Sequence, residues 1–188
     1  MRLICDFRRL LPALLLASFC SLTVSSAQSG KPYVYQKWLE EDVHWIITAH
    51  ERSEFMNLST DQQRDRFVEA FWSRRDPTPG TPENEFKEEH YRRLAYSNTN
   101  FASGVPGWKT DRGRVYIVYG QPDEISTRPS PTPQQTPANA GSSYPTQIWR
   151  YHRLDGTSHD LTVPFVDNCR CGDYQLKIDL FKEHELPK

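Results

Sequence analysis

The chain has 188 residues, of which 37% are hydrophobic and 25% charged, and its formal net charge is −1. Binding to nucleic acid requires a concentrated basic surface, so this near-neutral composition excludes a general nucleic-acid-binding role. The length suits one domain that buries about 70% of the surface of its extended chain.

The first 27 residues have the pattern of a secretory signal. Basic residues precede an apolar run, and the small residues Ser25 and Ala27 suit the last positions before a cleavage site. The run is too short for a comfortable membrane span. We therefore expect cleavage after Ala27, a secreted or periplasmic domain of residues 28–188, and no stable membrane insertion. The alternatives are lipidation of Cys20 and a segment that is retained as an anchor.

The next segment, residues 35–56, carries apolar residues at helical spacing and predicts one long amphipathic helix. Acidic residues group in its early turns, where the helix dipole favours them. His44 and His50 are six residues apart on this helix, so they lie on different faces. We therefore predict no metal site here.

Two further helices are predicted. Ser59 and Gln62 have the spacing of a capping box, which starts the second helix, and the prolines after Asp76 end it. Thr81 followed by Pro82 predicts the start of a third helix, which runs to about residue 97.

The junction between these helices is rich in charge. We expect Arg75, beside Asp76, to pair with Glu85 and Glu89 and so fix the angle between the two helices. An anion site built by the same arginines is the alternative.

A glycine-punctuated polar turn at residues 107–113 precedes an alternating run, residues 114–119, which predicts a buried strand. Trp108 is expected to anchor the turn on the helical half of the domain. The short side chains of Thr110 and Asp111 can fix the turn through bonds to nearby backbone amides.

At these residues the chain resembles a known family, the GWxTD-domain proteins of bacteria. The motif Gly-Trp-x-Thr-Asp occupies residues 107–111, and the resemblance continues through residues 111–117 and 120–125. It extends back to residues 71–79 and forward to Trp149 and Phe165. The resemblance implies an exported protein without an assigned reaction, so no catalytic residue is carried over.

The charged residues around this turn allow two interpretations. They could line a catalytic cleft of hydrolase type, with His90 or His152 as a base, because paired carboxylates can do acid–base work once burial separates their pKa values. They could instead cap turns and form ion pairs, which is the interpretation that we favour. The set comprises Asp111, Arg112, Arg114, Asp123 and Glu124.

Beyond the turn, residues 126–143 are rich in proline and polar residues and predict a disordered loop or a lid. Three strands follow, at residues 147–152, 161–166 and 174–180. Asp167 to Asp173 is the expected hairpin turn between the last two.

That hairpin turn contains Cys169 and Cys171. The pair can form a small disulfide, link two chains or stay reduced, and a redox role is a further alternative. Two thiols are too few for a structural zinc site, so we predict neither a metal nor another cofactor.

Together the patterns predict an α+β domain in which three N-terminal helices pack on a small, mainly antiparallel sheet of about four strands. The favoured function is a non-enzymatic binding or scaffold module whose partner is an envelope protein or a cell-surface component. The alternative is a hydrolase that uses the charged cluster around the turn.

Overall fold

The computed structural model describes residues 31–129, 144–152 and 160–177. Helices occupy the N-terminal part and a four-stranded antiparallel sheet the C-terminal part, which confirms the predicted α+β class. Within these ranges the α-helices are α1 (Lys31–Lys37), α2 (Ala49–Met56), α3 (Asp61–Ser73), α4 (Glu85–Asn100) and α5 (Asp111–Tyr119). The signal segment, most of the proline-rich loop and the end of the last predicted strand lie outside the described residues.

The N-terminal segment is not the single long helix that its periodicity predicts. After α1 the chain forms a π-helical turn, Trp38–Asp42, and α2 begins only at Ala49. Thr48 starts α2 with a capping box, because its hydroxyl accepts a hydrogen bond from the Glu51 amide at 3.2 Å while its own amide donates to the Glu51 carboxylate at 3.0 Å. The Thr-x-x-Glu pattern was the sequence signal for this break.

Two other helix starts differ from the prediction. The N-cap of α3 is Thr60 rather than Ser59, and Gln63 completes the capping box. Helix α4 begins after Asn84, whose side chain accepts a hydrogen bond from the Lys87 amide at 2.8 Å. Asparagine is an effective N-cap, so the helix begins after Asn84 instead of at the predicted Thr81.

The predicted strand at residues 114–119 is wrong, because these residues belong to α5. Thr110 is its N-cap, and Gly120, whose φ is 82°, ends it. Val115 and Ile117 are both buried because the helix packs on two sides, Val115 against the sheet and Ile117 against α4 and Trp108. Burial on two faces produced an alternating pattern that imitates a strand.

The sheet is a meander in the order β1-β2-β3-β4, and its strands are β1 (Glu124–Arg128), β2 (Thr146–Tyr151), β3 (Leu161–Val166) and β4 (Gln175–Leu176). Residues 124–128 therefore form the first strand, which overlaps the start of the predicted loop at 126–143. In register, Trp149 of β2 faces Ile125 of β1 on one side and Val163 of β3 on the other.

In the described part of the chain, buried side chains form three clusters. The first joins α1, the π-helical turn, α2 and α3 around Trp38 and Phe71. The second lies between α5 and the sheet around Trp149 and Phe165, and the third surrounds Trp108. Across the three described ranges, none of the helices combines the length and the apolar character that a membrane crossing requires.

Candidate functional site

The turn that starts α5 is held by the hydroxyl of Thr110. This hydroxyl donates to the Gly107 carbonyl at 2.8 Å and accepts from the Gly113 amide at 3.1 Å. Thr110 is buried, so both bonds lie away from solvent. One side chain thereby joins the short 3₁₀ turn at Gly107–Lys109 to the first turn of α5.

Two glycines in this turn permit a backbone contact that no other residue would allow. A Cβ atom on Gly107 would lie 1.8 Å from the Ser97 carbonyl oxygen of α4, and one on Gly113 would lie 1.8 Å from the Gly107 carbonyl oxygen. The backbones of α4, the turn and α5 are therefore stacked at the minimum separation. This close packing fixes the position of the Gly-Trp-x-Thr-Asp motif, residues 107–111, on the helical layer. We call this motif the signature.

Trp108 is fixed through its peptide as well as its ring. Its amide donates to Asn98 Oδ1 at 3.0 Å, and its carbonyl accepts from the indole nitrogen of Trp45 at 2.7 Å. The ring is buried with Leu94 and Ile117. The tryptophan therefore anchors the turn on the helical layer, as the sequence predicts.

Asp111 and Arg112 reach from the start of α5 to the last strand of the sheet and the turn before it. Asp111 Oδ2 accepts a hydrogen bond from the Leu176 amide of β4 at 2.7 Å. Arg112 donates to the Gly172 carbonyl at 2.8 Å, and its guanidinium lies 4.5 Å from the Tyr174 ring centroid. Burial lowers the pKa of Arg112 from its ordinary value, and nearby acidic groups oppose that shift. Both side chains tie α5 to the sheet.

The remaining members of the predicted cluster lie in separate contacts. The guanidinium of Arg114 is 4.6 Å from the Trp45 ring centroid. Asp123 accepts from the His152 amide at 2.5 Å, and Glu124 pairs with Arg150 at 3.1 Å across β1 and β2. The five charged side chains of the hypothetical catalytic cleft are therefore distributed over several structural contacts instead of sharing one pocket.

The arginine at the end of α3 has a different partner from the one expected. Arg75 does not pair with Glu85 or Glu89; it meets Glu51 of α2 in a two-pronged salt bridge with distances of 2.9 and 2.8 Å. It also donates to the Phe71 carbonyl at 3.1 Å. Asp76 accepts from the Thr78 amide at 3.0 Å and closes the following turn.

The histidines proposed as bases lie in different surroundings. His90 is buried, with Nε2 2.6 Å from the Asp42 carbonyl oxygen, and burial lowers its pKa. His152 is exposed, and its hydrogen bond with Asp160 raises its pKa. His90 therefore supports the end of the π-helical turn, whereas His152 directly follows the end of β2.

The hairpin turn between β3 and β4 contains a disulfide between Cys169 and Cys171. Within the described residues, Asp167 and these two cysteines are the one group of three or more potential metal ligands, with ligand atoms within 4.8 Å of one another. While the sulfurs are bonded to each other, neither is a thiolate, so the group offers a metal only the carboxylate.

A cleft of about 490 Å³ opens beside Trp108, between the signature turn and the π-helical turn. A second depression of about 370 Å³ continues it past Trp108 and Lys109. We call the first depression the Trp108 cleft. Its lining residues are Glu40, Glu41, His44, Trp45, Trp108 and Lys109.

The Trp108 cleft combines aromatic surface with polar groups. The His44 ring centroid lies 4.3 Å from that of Trp45 and 5.5 Å from that of Trp108, and burial lowers the pKa of His44. Its Nδ1 atom is buried and has no hydrogen-bond partner within the described part of the chain. Lys109 Nζ lies 5.0 Å from the Trp108 ring centroid.

Sequence reasoning found Trp108 but missed the rest of this cleft. The sequence predicts that Glu40 and Glu41, as acidic residues of an early helical turn, favour the helix dipole, and that His44 lies on a helix without a metal site. Nothing in the spacing of these residues marks a site, because their proximity to Lys109 depends on how the π-helical turn packs on the signature. The cleft is a product of tertiary packing.

The fold and this turn define a class: an α+β domain in which a Gly-Trp-x-Thr-Asp turn links a helical layer to an antiparallel sheet. The sequence model of the GWxTD domain family matches residues 21–133, which is more than half of the chain. The chain therefore belongs to the GWxTD-domain family. No curated protein and no solved structure matches it.

Proposed function

We propose that this chain is an exported, non-enzymatic binding module that holds a segment of an envelope protein in the Trp108 cleft. Export rests on the N-terminal pattern of basic residues, apolar run and small residues before Gln28. The binding role rests on the cleft, which lies directly on the family's signature tryptophan.

The main support is the state of the polar groups that line the cleft. Within the described residues, the Glu41 carboxylate forms no hydrogen bond or salt bridge, and His44 Nδ1 has no partner. His44 Nδ1 is buried, and a buried polar atom without a partner costs free energy that a donor reaching it would recover. Glu41 is only half-buried, so it offers the ligand an accessible acceptor rather than a buried one. Binding sites typically combine aromatic side chains with a small number of polar groups, as this cleft does.

The chemistry of the cleft favours a peptide segment as its occupant. Trp45, together with the small exposed part of Trp108, supplies aromatic surface, and tryptophan is enriched in the residues that dominate protein interfaces. A backbone amide or a basic side chain of the partner could donate to Glu41. We expect a short, partly apolar segment with at least one hydrogen-bond donor.

The hydrolase alternative has less support. Asp111 and Asp123 each accept a backbone amide from a neighbouring strand or its end, and Glu124 is paired with Arg150. A general acid–base pair must reach the same bond of a substrate. Side chains committed to separate contacts do not meet this requirement, so we do not favour a catalytic role for the cluster.

Capture of partners from envelope extract by the mature domain tests the proposal. Glu41→Lys reverses a charge in the cleft and should lower the affinity for a captured partner about tenfold, since a lost bond to a charged group contributes about 1.5 kcal/mol or more. Glu54→Lys makes the same charge change on an exposed position of α2 outside the cleft, so it should bind like the wild type.

Both variants must first be shown to be folded by circular dichroism. Equal loss of binding in both variants, or unchanged binding in Glu41→Lys, would contradict a ligand site in the cleft. The mass of the protein recovered from the culture medium or periplasm tests export separately, because cleavage after Ala27 leaves Gln28 at the N-terminus.

A further inference from the structure

The turn that carries the disulfide is already fixed by other interactions. The Asp167 carboxylate is buried and accepts from the Cys171 amide at 3.1 Å and from the Gly172 amide at 2.9 Å. Arg112 adds a bond to the Gly172 carbonyl at 2.8 Å. One of these bonds holds Cys171 itself, and the other two hold Gly172, the residue that follows the disulfide.

The disulfide itself adds little constraint to the chain. It joins residues only two positions apart, and the loop-closure entropy that a disulfide removes from the unfolded state falls with loop length. A structural staple would connect distant segments. Both cysteines are exposed residues, so the disulfide lies at the surface of the domain.

Asp167 also favours the reduced form of the pair. Cys169 Sγ lies 3.2 Å from Asp167 Oδ1, but a sulfur in a disulfide carries no hydrogen to donate. After reduction the Cys169 thiol can donate to this carboxylate, and a hydrogen bond to a charged acceptor is among the stronger ones in proteins. The oxidised turn therefore holds a carboxylate against a sulfur that cannot bond to it.

From these three observations we infer that Cys169 and Cys171 form a thiol–disulfide exchange site that accepts electrons from accessible dithiols of other proteins. This role is independent of the Trp108 cleft, because neither cysteine nor Asp167 lines that cleft. Stabilisation of the reduced form makes a disulfide a better oxidant, which sets the direction of exchange.

The exchange proceeds in two balanced steps. A substrate thiolate attacks Cys171 Sγ, because the Asp167 carboxylate repels an anion that approaches Cys169. The bond between the two cysteines breaks, its electron pair leaves on Cys169 Sγ, and that sulfur takes a proton from solvent to become a thiol, which forms a hydrogen bond to the Asp167 carboxylate. The second substrate thiol then attacks the mixed disulfide and releases Cys171. The substrate becomes a disulfide, and the domain gains two electrons and two protons.

Equilibration of the full chain in glutathione redox buffers tests the site, with free thiols trapped by maleimide and counted by mass spectrometry. We expect the wild type to be reduced reversibly while its amide NMR spectrum remains that of a folded protein. We also expect it to oxidise a two-cysteine peptide stoichiometrically, and Cys171→Ser to lose this activity.

Asp167→Asn tests the role of the carboxylate. The neutral amide forms a weaker hydrogen bond with the Cys169 thiol, which lowers the equilibrium constant for reduction about tenfold. Half-reduction of the variant should therefore need about a tenfold higher ratio of reduced to oxidised glutathione. Asp173→Asn removes a charge from the same turn without contact to either sulfur, so it should behave like the wild type.

Two results would overturn the inference. One is a wild-type disulfide that stays oxidised in a large excess of reduced glutathione while the protein is folded, a measurement that does not depend on any variant. The other is a folded Asp167→Asn variant with the same midpoint as Asp173→Asn.

Discussion

The carboxylate of Glu51 receives two nitrogens of the Arg75 guanidinium, at 2.9 and 2.8 Å, and one of Arg74 at 3.0 Å. Burial alone would raise the pKa of this carboxyl, but the hydrogen bonds from Arg75, the Thr48 amide and Arg74 outweigh it and lower the pKa from 4.5 to about 2. The charged form of Glu51 is thus the form that the fold stabilises.

Glu51→Gln should reveal this pKa shift in the pH dependence of stability. Because the pKa is lower in the folded state, the stabilisation is fully present above the unfolded value of 4.5 and is lost as the pH falls towards 2. Urea unfolding at several pH values should show wild type clearly more stable than the variant near pH 6, with the difference shrinking towards pH 2. A difference that stays constant over this range would contradict the ion pair as described.

At the scale of the element, α5 is a helix whose burial on two sides gives it the alternating apolar sequence of a strand. Val115 and Ile117 are two residues apart, yet both are buried, because the helix is covered by the sheet on one side and by α4 on the other. The capping residues gave the correct signal, with Thr110 before the first turn and Gly120 after the last. The β-branched content of the segment misled the prediction.

The helix also depends on close backbone packing, which Gly113→Ala tests. The new Cβ would meet the Gly107 carbonyl at 1.8 Å, and neither backbone can move without disturbing the Thr110 hydroxyl bonds. We expect a loss of about 3 kcal/mol in the free energy of unfolding, as for severe overpacking.

Gly104→Ala is the matched control for this substitution. Gly104 has a φ of 66°, and no atom lies within 4 Å of the place that a Cβ atom would take. Alanine there therefore meets only the cost of a left-handed backbone, about 1 kcal/mol. Equal losses for the two variants in denaturant unfolding would show that the stack at Gly113 is looser than described.

At the scale of the whole molecule, α4 and α5 connect two apolar regions. Leu94 of α4 and Ile117 of α5 belong to the cluster around Trp108, while Val115 of α5 belongs to the sheet cluster. Asp111 reinforces this connection through its 2.7 Å bond to the Leu176 amide. The signature thus joins the helical layer to the last strand of the sheet.

Asp111→Ala removes this bond and should destabilise the pairing of β4 before it affects the helices. Hydrogen exchange at the Leu176 amide should accelerate about tenfold, since a hydrogen bond to a charged acceptor contributes roughly 1.5 kcal/mol, while amides in the interior of α3 keep their protection. Asp111→Asn keeps an acceptor oxygen and should recover much of the protection. Equal exchange rates at Leu176 in all three proteins would show that the Asp111 carboxylate does not protect the Leu176 amide.

The amino-acid sequence by itself determined the α+β class, the family, two of the strands and the anchoring role of Trp108. These features depend on local signals: a dense motif, apolar alternation over residues 147–152 and 161–166, and a large aromatic side chain in a glycine-rich turn. Such signals are readable because strand periodicity and turn chemistry act over a few neighbouring residues.

Only the tertiary structure decided that α5 is covered on two sides, that Arg75 pairs with Glu51, and that Glu41 and His44 meet Lys109 at one cleft. Each of these depends on segments that are distant in the chain. Which side of a helix is covered, and which carboxylate an arginine reaches, follow from the packing of several elements together, and that packing has no local signature in the sequence.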